Sequence, residues 1–531
     1  MLTITAFGGT GEIGGNMFLL DDGRTKILLD FGRSFSRESR FFEFPLLQPQ
    51  CREDLLKTGL IPNITGLYCG EGLRIRYGAD ESDLALEGRL CEPEVQAVLL
   101  SHAHTDHCGY IGLLHPDIRI YCSPITKRLL QITRELNSDF RTAAPDAGIT
   151  PVPTGEWVDI GTMRVKRYDV DHSIPGASAF VIEADGKKLV YTGDFRLHGP
   201  DNEQKTTKCF IEETAAEGID YLLCEGTCLS KHEPTDDLDN STHHSLDSEE
   251  NVKQKCAELF RKSKGLVIYD MSPMDIGRLV RVFEAARHSR RCVVLDSKKA
   301  FFLLLLNRGP DGEIVPNLPE PNSFSILLSR TKLRSDSKWY KQCFGLAAQT
   351  LQQLASHQHG LFVEAAWCGR QGHEARLTSQ QRRRITKTRE SPGENDFELP
   401  DELFIWGPHG RDRILQNPND YMIITSNGPG ILLQMLQMEQ RIEGTYIYGK
   451  AEPFNEETEF SYRILMNWLK LSGLRLEFAH TSGHIKREHL ENVLKTLNPK
   501  TLIPIHTTAE KPFDGMHPNI RVLPLGKREK L

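Results

Sequence analysis

Short apolar runs separated by Gly- and Asp-rich turns set the pattern of the N-terminal part of the chain. LTITAF, MFLL and KILLDFG read as three strands, the last two joined through the hairpin turn Asp21-Asp22-Gly23. VQAVLL, RIYCS, RVKRYDV, SAFVIEA, KKLVYTGDF and IDYLLCEGT predict further strands as far as residue 227, with the helically spaced ITKRLLQITRELN among them. Strands alternating with occasional helices imply a layered α/β or α+β fold with sheets in the middle. Segment 33–93, mixed in charge and interrupted by Pro and Gly, reads as loops and short helices. A polar stretch, KHEPTDDLDNSTHHSLDSEEN, then precedes a second α/β pattern that opens with GLVIYD, MDIGRLVRVFEAARH and CVVLD. That pattern runs to 444 and includes a hydrophilic segment, 371–396, that reads as an exposed insertion or linker. From Thr445 short strands and a helix return, closing with HTSGHIKREHLENVLKTL and KTLIPIH. The expected organisation is one α/β domain in two parts, 1–229 and 445–531, interrupted by an inserted α/β domain over 230–444.

Composition narrows the class without naming a chemistry. The 531 residues are 39% hydrophobic and 26% charged, ordinary for a globular protein, and no apolar run approaches the ~20 residues that span a bilayer. The N-terminus opens directly as a strand, without the basic and apolar regions of a secretory leader, so a cytoplasmic location is expected. Twelve Cys without a repeated C-x-x-C framework suit reduced thiols, and Cys224 and Cys228 read as core or near-core residues. A net charge of −7 gives no global attraction to nucleic acid, so binding of a polyanion requires a local basic groove or bound metal.

Directly after VQAVLL, His102-Ala103-His104-Thr105-Asp106-His107 places four potential ligands at a strand end. His102 and His104 alternate as on a strand and can face one way, while Asp106 and His107 can turn toward a second centre about 3.5–4 Å away. Imidazole together with carboxylate suits zinc or a similar divalent ion. Three more groups stand at the ends of predicted strands: His172, Asp194 and His506. One ion can take His102, His104 and His172, the other Asp106, His107 and His506, with Asp194 bridging. Neither set saturates its ion, which leaves room for a hydroxide and points to hydrolysis. Asp30, ending KILLDFG, reads as a residue that orients a ligand from behind. Gly9, Gly11 and Gly14 spell G-x-G-x-x-G, but a hairpin arrives too soon for a dinucleotide-binding strand-helix-strand unit, so they read as a tight turn approaching the site. The pair His243-His244, in a Ser- and Asp-rich loop, reads as solvated.

This ligand set resembles that of the metallo-β-lactamase superfamily, which implies an α/β fold built as an αββα sandwich with metals at one edge of the sheets. The long α/β segment before the last histidine resembles the β-CASP nucleases. GGTGEIGGNMFLLD, GLIPNI, HAHTDHCGYIG, YTGDF and TSGHIKREHLENVLKTLNPKTLIPIH resemble the layout of ribonuclease J, closely over 1–230 and 445–510 and more loosely through the insert. The resemblance implies a metallo-β-lactamase domain over 1–229 and 445–531 and a β-CASP domain over 230–444. It aligns Glu225 of CEGT with the motif A acid, His484 of HTSGH with the motif B histidine and His506 with the motif C histidine. Typical ribonucleases J continue into a further domain after motif C, so assembly through such a domain is not expected from these residues.

The implied function is a metal-dependent ribonuclease that cleaves single-stranded RNA with a hydroxide activated by two divalent ions, zinc or manganese. Asp106, Asp194, Glu225 and His484 carry the chemistry, with His484, oriented by Glu225, protonating the leaving 3′ oxygen. Ser482 and His480 either contact phosphate or serve structure, Ser482 by capping the following helix and His480 by supporting its turn. RNA is preferred to DNA because the relatives acting on RNA share the motif C histidine. The strand would enter a cleft lined by Arg278, Arg281 or Lys298, which otherwise form a solvated helix face, and Arg382-Arg383-Arg384 reads as a linker run. A structure-specific DNA nuclease of the same group, a small-ester hydrolase and a catalytically dead scaffold are the competing classes, and a homo-oligomer is open to any of them. Dead scaffolds lose ligands, whereas this chain keeps the whole set.

Overall fold

The computed structural model describes residues 1–43, 46–68, 92–136, 141, 148–230, 245–307, 315, 317–319, 323–328, 404–436, 441–450, 456–509 and 511–531. His243-His244, segment 371–396 and its Arg382-Arg383-Arg384 run lie outside the described residues. The chain divides into two compact units, one of Met1–Glu250, Met274–Gly277 and Thr481–Leu531, the other of Asn251–Pro273 and Arg278–His480.

The first unit opens with β1 (Thr3–Gly8), β2 (Met17–Asp21), β3 (Lys26–Leu29), β4 (Ala97–Leu99), β5 (Arg119–Cys122) and β6 (Ile149–Pro151). It continues with β7 (Trp157–Ile160), β8 (Met163–Asp169), β9 (Ser178–Ala184), β10 (Lys187–Tyr191) and β11 (Tyr221–Glu225). The second unit supplies β12 (Leu266–Met271), β13 (Cys292–Asp296), β14 (Ser325–Leu328), β15 (Phe404–Trp406), β16 (Tyr421–Thr425), β17 (Gly444–Gly449) and β18 (Arg475–Phe478). The chain then returns to the first unit with β19 (Thr501–Ile505) and β20 (Arg528–Lys530).

Two sheets make the first unit, in the orders β20-β1-β2-β3-β4-β5-β6 and β19-β11-β10-β9-β8-β7. Their facing sides share one core. Ile4, Phe18, Leu20, Ile27 and Leu99 of the first sheet meet Phe180, Ile182, Leu189, Tyr191, Leu223, Ile503 and Ile505 of the second. The intervening residues of the second sheet, Val181, Val190, Leu222 and Leu502, point the other way. There they pack on Phe210 and Ile211 of helix Asp201–Glu217 and on Leu490, Val493 and Leu494 of helix Arg487–Leu497. Burial on both faces explains why these strands read as continuous apolar runs instead of alternating ones. Each such buried side chain contributes about 1.5–3 kcal/mol relative to exposure, so this layering is the main support of the unit.

β2 and β3 form the expected hairpin, with Asp21 opposite Lys26. β1 pairs antiparallel with β2, so the glycine-rich segment between them opens no helix and the dinucleotide reading fails on topology. β3 to β6 run parallel, as do β10, β11 and β19. Their carboxyl ends carry Asp30, the 101–107 turn, Asp194, Glu225 and His506.

In the second unit all seven strands pair in parallel, in the order β15-β14-β13-β16-β12-β17-β18. β17 and β18 extend this sheet from β12, so residues 445–480 pack with the second unit and the boundary expected at 444 falls inside its sheet. Cys224 and Cys228 are free thiols, the first buried and the second partly so. Among the described residues no helix is long and apolar enough to cross a membrane.

Candidate metal centre

β4 ends at Leu99, and the chain turns through Ser101 into the short helix Thr105–Cys108, with His104 at its N-cap. The strand end and the helix start therefore project different ligands. His102 Nε2 lies 3.0 Å from His104 Nδ1, which is 3.2 Å from His172 Nε2. Asp106 Oδ2 lies 3.2 Å from His506 Nε2 and 3.9 Å from His107 Nε2. Asp194 Oδ2 stands among them, 3.1 Å from His107 Nε2, 3.6 Å from His506 Nε2, 3.8 Å from His102 Nε2 and 3.9 Å from His172 Nε2. All seven sequence-derived ligands thus meet in one cluster. His102, His104 and His172 form one group able to hold an ion, Asp106, His107 and His506 another, and Asp194 joins further groups with His102 and His107 and with His484 and His506.

The glycine turn is shaped around this cluster. At Gly14, with φ of 79°, an added Cβ would lie 2.7 Å from Asp106 Oδ2, and at Gly32 it would lie 1.7 Å from the Asp106 carbonyl oxygen. Asn16 N–H donates to that same carbonyl at 3.0 Å. Neither glycine position has room for a side chain.

Asp30 holds the cluster from behind. Its Oδ2 lies 2.6 Å from His107 Nδ1 and accepts from the Ser101 hydroxyl at 2.7 Å and from the Tyr191 hydroxyl, while Oδ1 accepts from Ser101 N–H at 2.7 Å. Ser101 Oγ is also 3.0 Å from His102 Nδ1, so one carboxylate orients two rings with their Nε2 atoms toward the cluster. His172 Nδ1 lies 2.6 Å from the Gly483 carbonyl oxygen, which orients the third in the same way.

The donor chemistry fits divalent cations. Burial drives His102 and His172 well below the usual imidazole range and His104 down to about 4, so these rings are neutral and offer lone pairs. Burial opposes ionisation of Asp194, yet His107 and His506 outweigh it and keep the carboxylate charged. Burial likewise opposes protonation of His107, and Asp194, Asp106 and Asp30 overcome it, so the carboxylates draw in positive charge. Asp194 Oδ1, buried, has no hydrogen-bond partner among the described residues. A buried carboxylate oxygen without a donor, beside neutral imidazoles, matches a cation ligand.

His484 Nδ1 is 3.2 Å from Glu225 Oε1 and 3.8 Å from Asp194 Oδ2. Glu225 also accepts from the backbone N–H groups of Phe195, Thr227 and Ile485, which fix it at the end of β11. Ser482 Oγ accepts from His484 N–H at 3.1 Å, whereas helix Arg487–Leu497 begins after Lys486 and takes no side-chain cap. Ser482 therefore closes the turn that presents His484 and does not cap the helix. His480 belongs to the second unit, where its Nδ1 lies 3.2 Å from the Gly449 carbonyl oxygen and 3.2 Å from Arg278 Nη1. Arg278 is fully buried, which overturns its reading as part of a solvated face, and Arg281 pairs with Glu284 at 2.9 Å. Lys298 is partly buried.

Sequence reasoning passed over Ser101, Arg196 and Thr227. Arg196, two residues past Asp194, is fully buried and donates to Asp171 Oδ1 and Glu249 Oε1, each at 2.8 Å, and to the Ser482 carbonyl oxygen at 3.4 Å. A charged residue inside a buried strand end was the available signal.

A family model described as "Beta-lactamase superfamily domain" matches residues 84–294. Among relatives, Ribonuclease J of Sinorhizobium meliloti is 27% identical over 205 residues, 38% of this chain and 34% of that protein. The chain is therefore similar to the beta-lactamase superfamily over 84–294 and, over part of its length, to ribonucleases J. Ribonuclease J of Pyrococcus abyssi is 27% identical over 241 residues, 44% of this chain and 47% of that protein. An RNase J-like protein of Methanocaldococcus jannaschii is 31% identical over 141 residues, 25% of this chain and 32% of that protein. The match spans 32% to 47% of the length of these curated relatives. A crystal structure of a protein of unknown function from Enterococcus faecalis aligns over all of both chains with a TM-score of 0.65 and 21% identity, which speaks for the fold alone.

Proposed function

We propose that this ribonuclease J-like chain is a metal-dependent ribonuclease that hydrolyses phosphodiester bonds of single-stranded RNA, with two divalent ions, zinc or manganese, held by His102, His104, His172, Asp106, His107, His506 and the bridging Asp194. The observation that carries this reading is Asp194: one oxygen within 3.9 Å of five imidazoles, the other buried without a hydrogen-bond partner among the described residues. When bound, such ions polarise a phosphodiester, lower the pKa of a water nucleophile and draw neighbouring imidazole values down. The relatives' shared name, Ribonuclease J, supports RNA as the polymer.

His484 is the proton donor in this reading. Burial opposes its protonation, but in the absence of bound ions Glu225 and Asp194 outweigh burial and push the ring up to about 9. Glu225 takes the Nδ1 side, which leaves Nε2 to deliver a proton to the leaving 3′ oxygen. Ser482 keeps the turn closed, and its hydroxyl proton remains available to a phosphate oxygen.

The test measures bound metal and the cleavage of matched end-labelled single-stranded RNA and DNA. RNA should be cut in preference to DNA. Asp106→Ala should lose metal and cleavage together, while His484→Ala should keep metal and lose about 10²- to 10⁴-fold in rate. Full metal content and rate in Asp106→Ala, or equal cleavage of both polymers, would overturn the corresponding part of the proposal.

A further inference from the structure

The turn 481–484 presents His484, and it is fastened by two buried residues that the proposed chemistry does not use. The Ser482 carbonyl oxygen lies 2.8 Å from His198 Nε2 and accepts from Arg196 Nη1 at 3.4 Å. A carbonyl can only accept, so His198 carries a hydrogen on Nε2, and both lone pairs of the Ser482 oxygen are engaged. Arg196 is fully buried and His198 is 3% exposed. Burial and the neighbouring guanidinium push His198 down to about 3, so the ring is neutral and gives its one hydrogen to Ser482.

A buried guanidinium is costly to desolvate, and an apolar side chain would fill the same space at lower cost. What the charge supplies is a junction. Arg196 Nε donates to Asp171 Oδ1 and Nη1 to Glu249 Oε1, each at 2.8 Å, while Arg196 N–H donates to the Asp171 carbonyl at 2.7 Å. Asp171 Oδ2 accepts from Gly199 N–H at 2.8 Å, and Glu249 N–H donates to the His198 carbonyl at 3.0 Å. Both donors to Ser482 therefore stand on a loop tied at several points to Asp171 and Glu249.

The rest of the turn is fixed as closely. The Thr481 hydroxyl donates to the Leu246 carbonyl at 2.6 Å, and Ser482 Oγ accepts from His484 N–H at 3.1 Å. A Cβ at Gly483 would lie 2.8 Å from Ser173 Oγ, so the turn lies flush against the segment that carries His172. The His172 and His484 rings stand 5.2 Å apart by their centroids. Proton delivery demands such placement, since a misplacement of about 1 Å can cost about 100-fold in rate.

We propose that His198, supported by Arg196, is a positioning residue that holds the 481–484 turn by its Ser482 carbonyl and so sets where His484 stands; its role in proton delivery rests on the reading of His484 as the proton donor. His198 acts through the turn and not on the reacting atoms.

The test uses the full chain with three substitutions. His198→Leu removes the donor, His198→Gln puts an amide nitrogen in the place of Nε2, and Arg196→Lys keeps the charge without the forked nitrogens. The amides of His484 and Ile485 are held by Ser482 Oγ and Glu225 Oε1. Hydrogen exchange of metal-free protein should show them exchanging about 10-fold faster in His198→Leu and less than that in Arg196→Lys, with His198→Gln close to the wild type. The zinc-loaded His198→Leu enzyme should keep its metal and its KM for single-stranded RNA and lose about 10- to 100-fold in kcat. In a His484→Ala background the same substitution should cost nothing further. Unchanged exchange in His198→Leu, a His198→Gln variant as labile as His198→Leu, or an undiminished loss in the His484→Ala background overturns the proposal. Wild-type exchange in Arg196→Lys overturns Arg196's share in it. A His484→Ala variant that keeps the full rate overturns the proton-donor reading, and with it His198's role in proton delivery, while the exchange result still decides what holds the turn.

Discussion

Two buried aspartates, one in each unit, differ in the company their oxygens keep. Asp270 at the end of β12 and Asp194 just beyond β10 are 1% and 2% exposed, so burial does not distinguish them. Asp270 accepts from the Tyr446 hydroxyl at 2.7 Å and lies 2.7 Å from the Lys450 ammonium. Its neighbour Asp296 accepts from Lys299 N–H, the Thr425 hydroxyl and Ser426 N–H at 2.9, 2.9 and 3.0 Å. These carboxylates are surrounded by groups that bring protons or positive charge. Asp194 is surrounded by the candidate ligands; its Oδ1, like Asp270 Oδ1, has no hydrogen-bond partner among the described residues, but the Asp270 oxygen has the Lys450 ammonium beside it. An acid whose oxygens are engaged by donors and an ammonium ties structure together, whereas an acid with a buried oxygen left open among imidazoles can take a cation.

Removing each acid in turn should separate the two kinds. Asp194→Ala should have the largest effect, a loss of bound metal and a fall in cleavage well beyond the roughly 100-fold ceiling for outer partners. Metal analysis on the purified variant decides it, and a full metal complement would place Asp194 with the struts. Asp30 sharpens the contrast because it is a donor-saturated acid inside the first unit, behind the candidate ligands. Asp30→Ala should weaken metal binding by about 10- to 100-fold through misorientation of His102 and His107, without abolishing it. Asp296→Ala should leave metal content unchanged and cost about 1–3 kcal/mol of unfolding free energy, since it strands the Thr425 hydroxyl and two backbone N–H groups. Denaturant titration alongside metal analysis reads both quantities.

How much of this was legible in the sequence follows the same division. The candidate ligands were legible because metal chemistry restricts residue type, and the density of His102, His104, Asp106 and His107 favours that reading over a surface loop. The strands around them were legible because burial on both faces leaves runs such as VQAVLL and KILL. The edge of the second unit was not, because β17 and β18 look like any short strands and only their pairing with β12 assigns them. Arg278 read as a solvated residue because a sequence displays its charge and hides the Gly449 carbonyl and His480 imidazole that receive it. His480 and His484, four residues apart in one motif, fall in different units for the same reason. Arg196 and Thr227 were hidden because their partners, Ser482 and His506, lie far along the chain.

Glu203 offers the smallest and most conditional effect, and its sign can be worked out. It stands in the first turn of helix Asp201–Glu217, partly buried, facing Asp171, Arg196 and Glu249. Burial and the Asp171 carboxylate push it up to about 8, with Arg196 pulling against them. A carboxyl raised on folding binds a proton that the unfolded chain releases above about pH 4.3, so its contribution is present in acid and is lost as pH rises toward 8. Glu203→Gln stays neutral throughout and removes that slope. The unfolding free energy of the wild type relative to Glu203→Gln should therefore fall between pH 5 and 8, by roughly 2 kcal/mol once partial exposure is allowed for. Parallel melts at several pH values measure it. A constant difference would show that Glu203 is ionised throughout, and that Arg196 supplies charge enough for Asp171, Glu249 and Glu203 together.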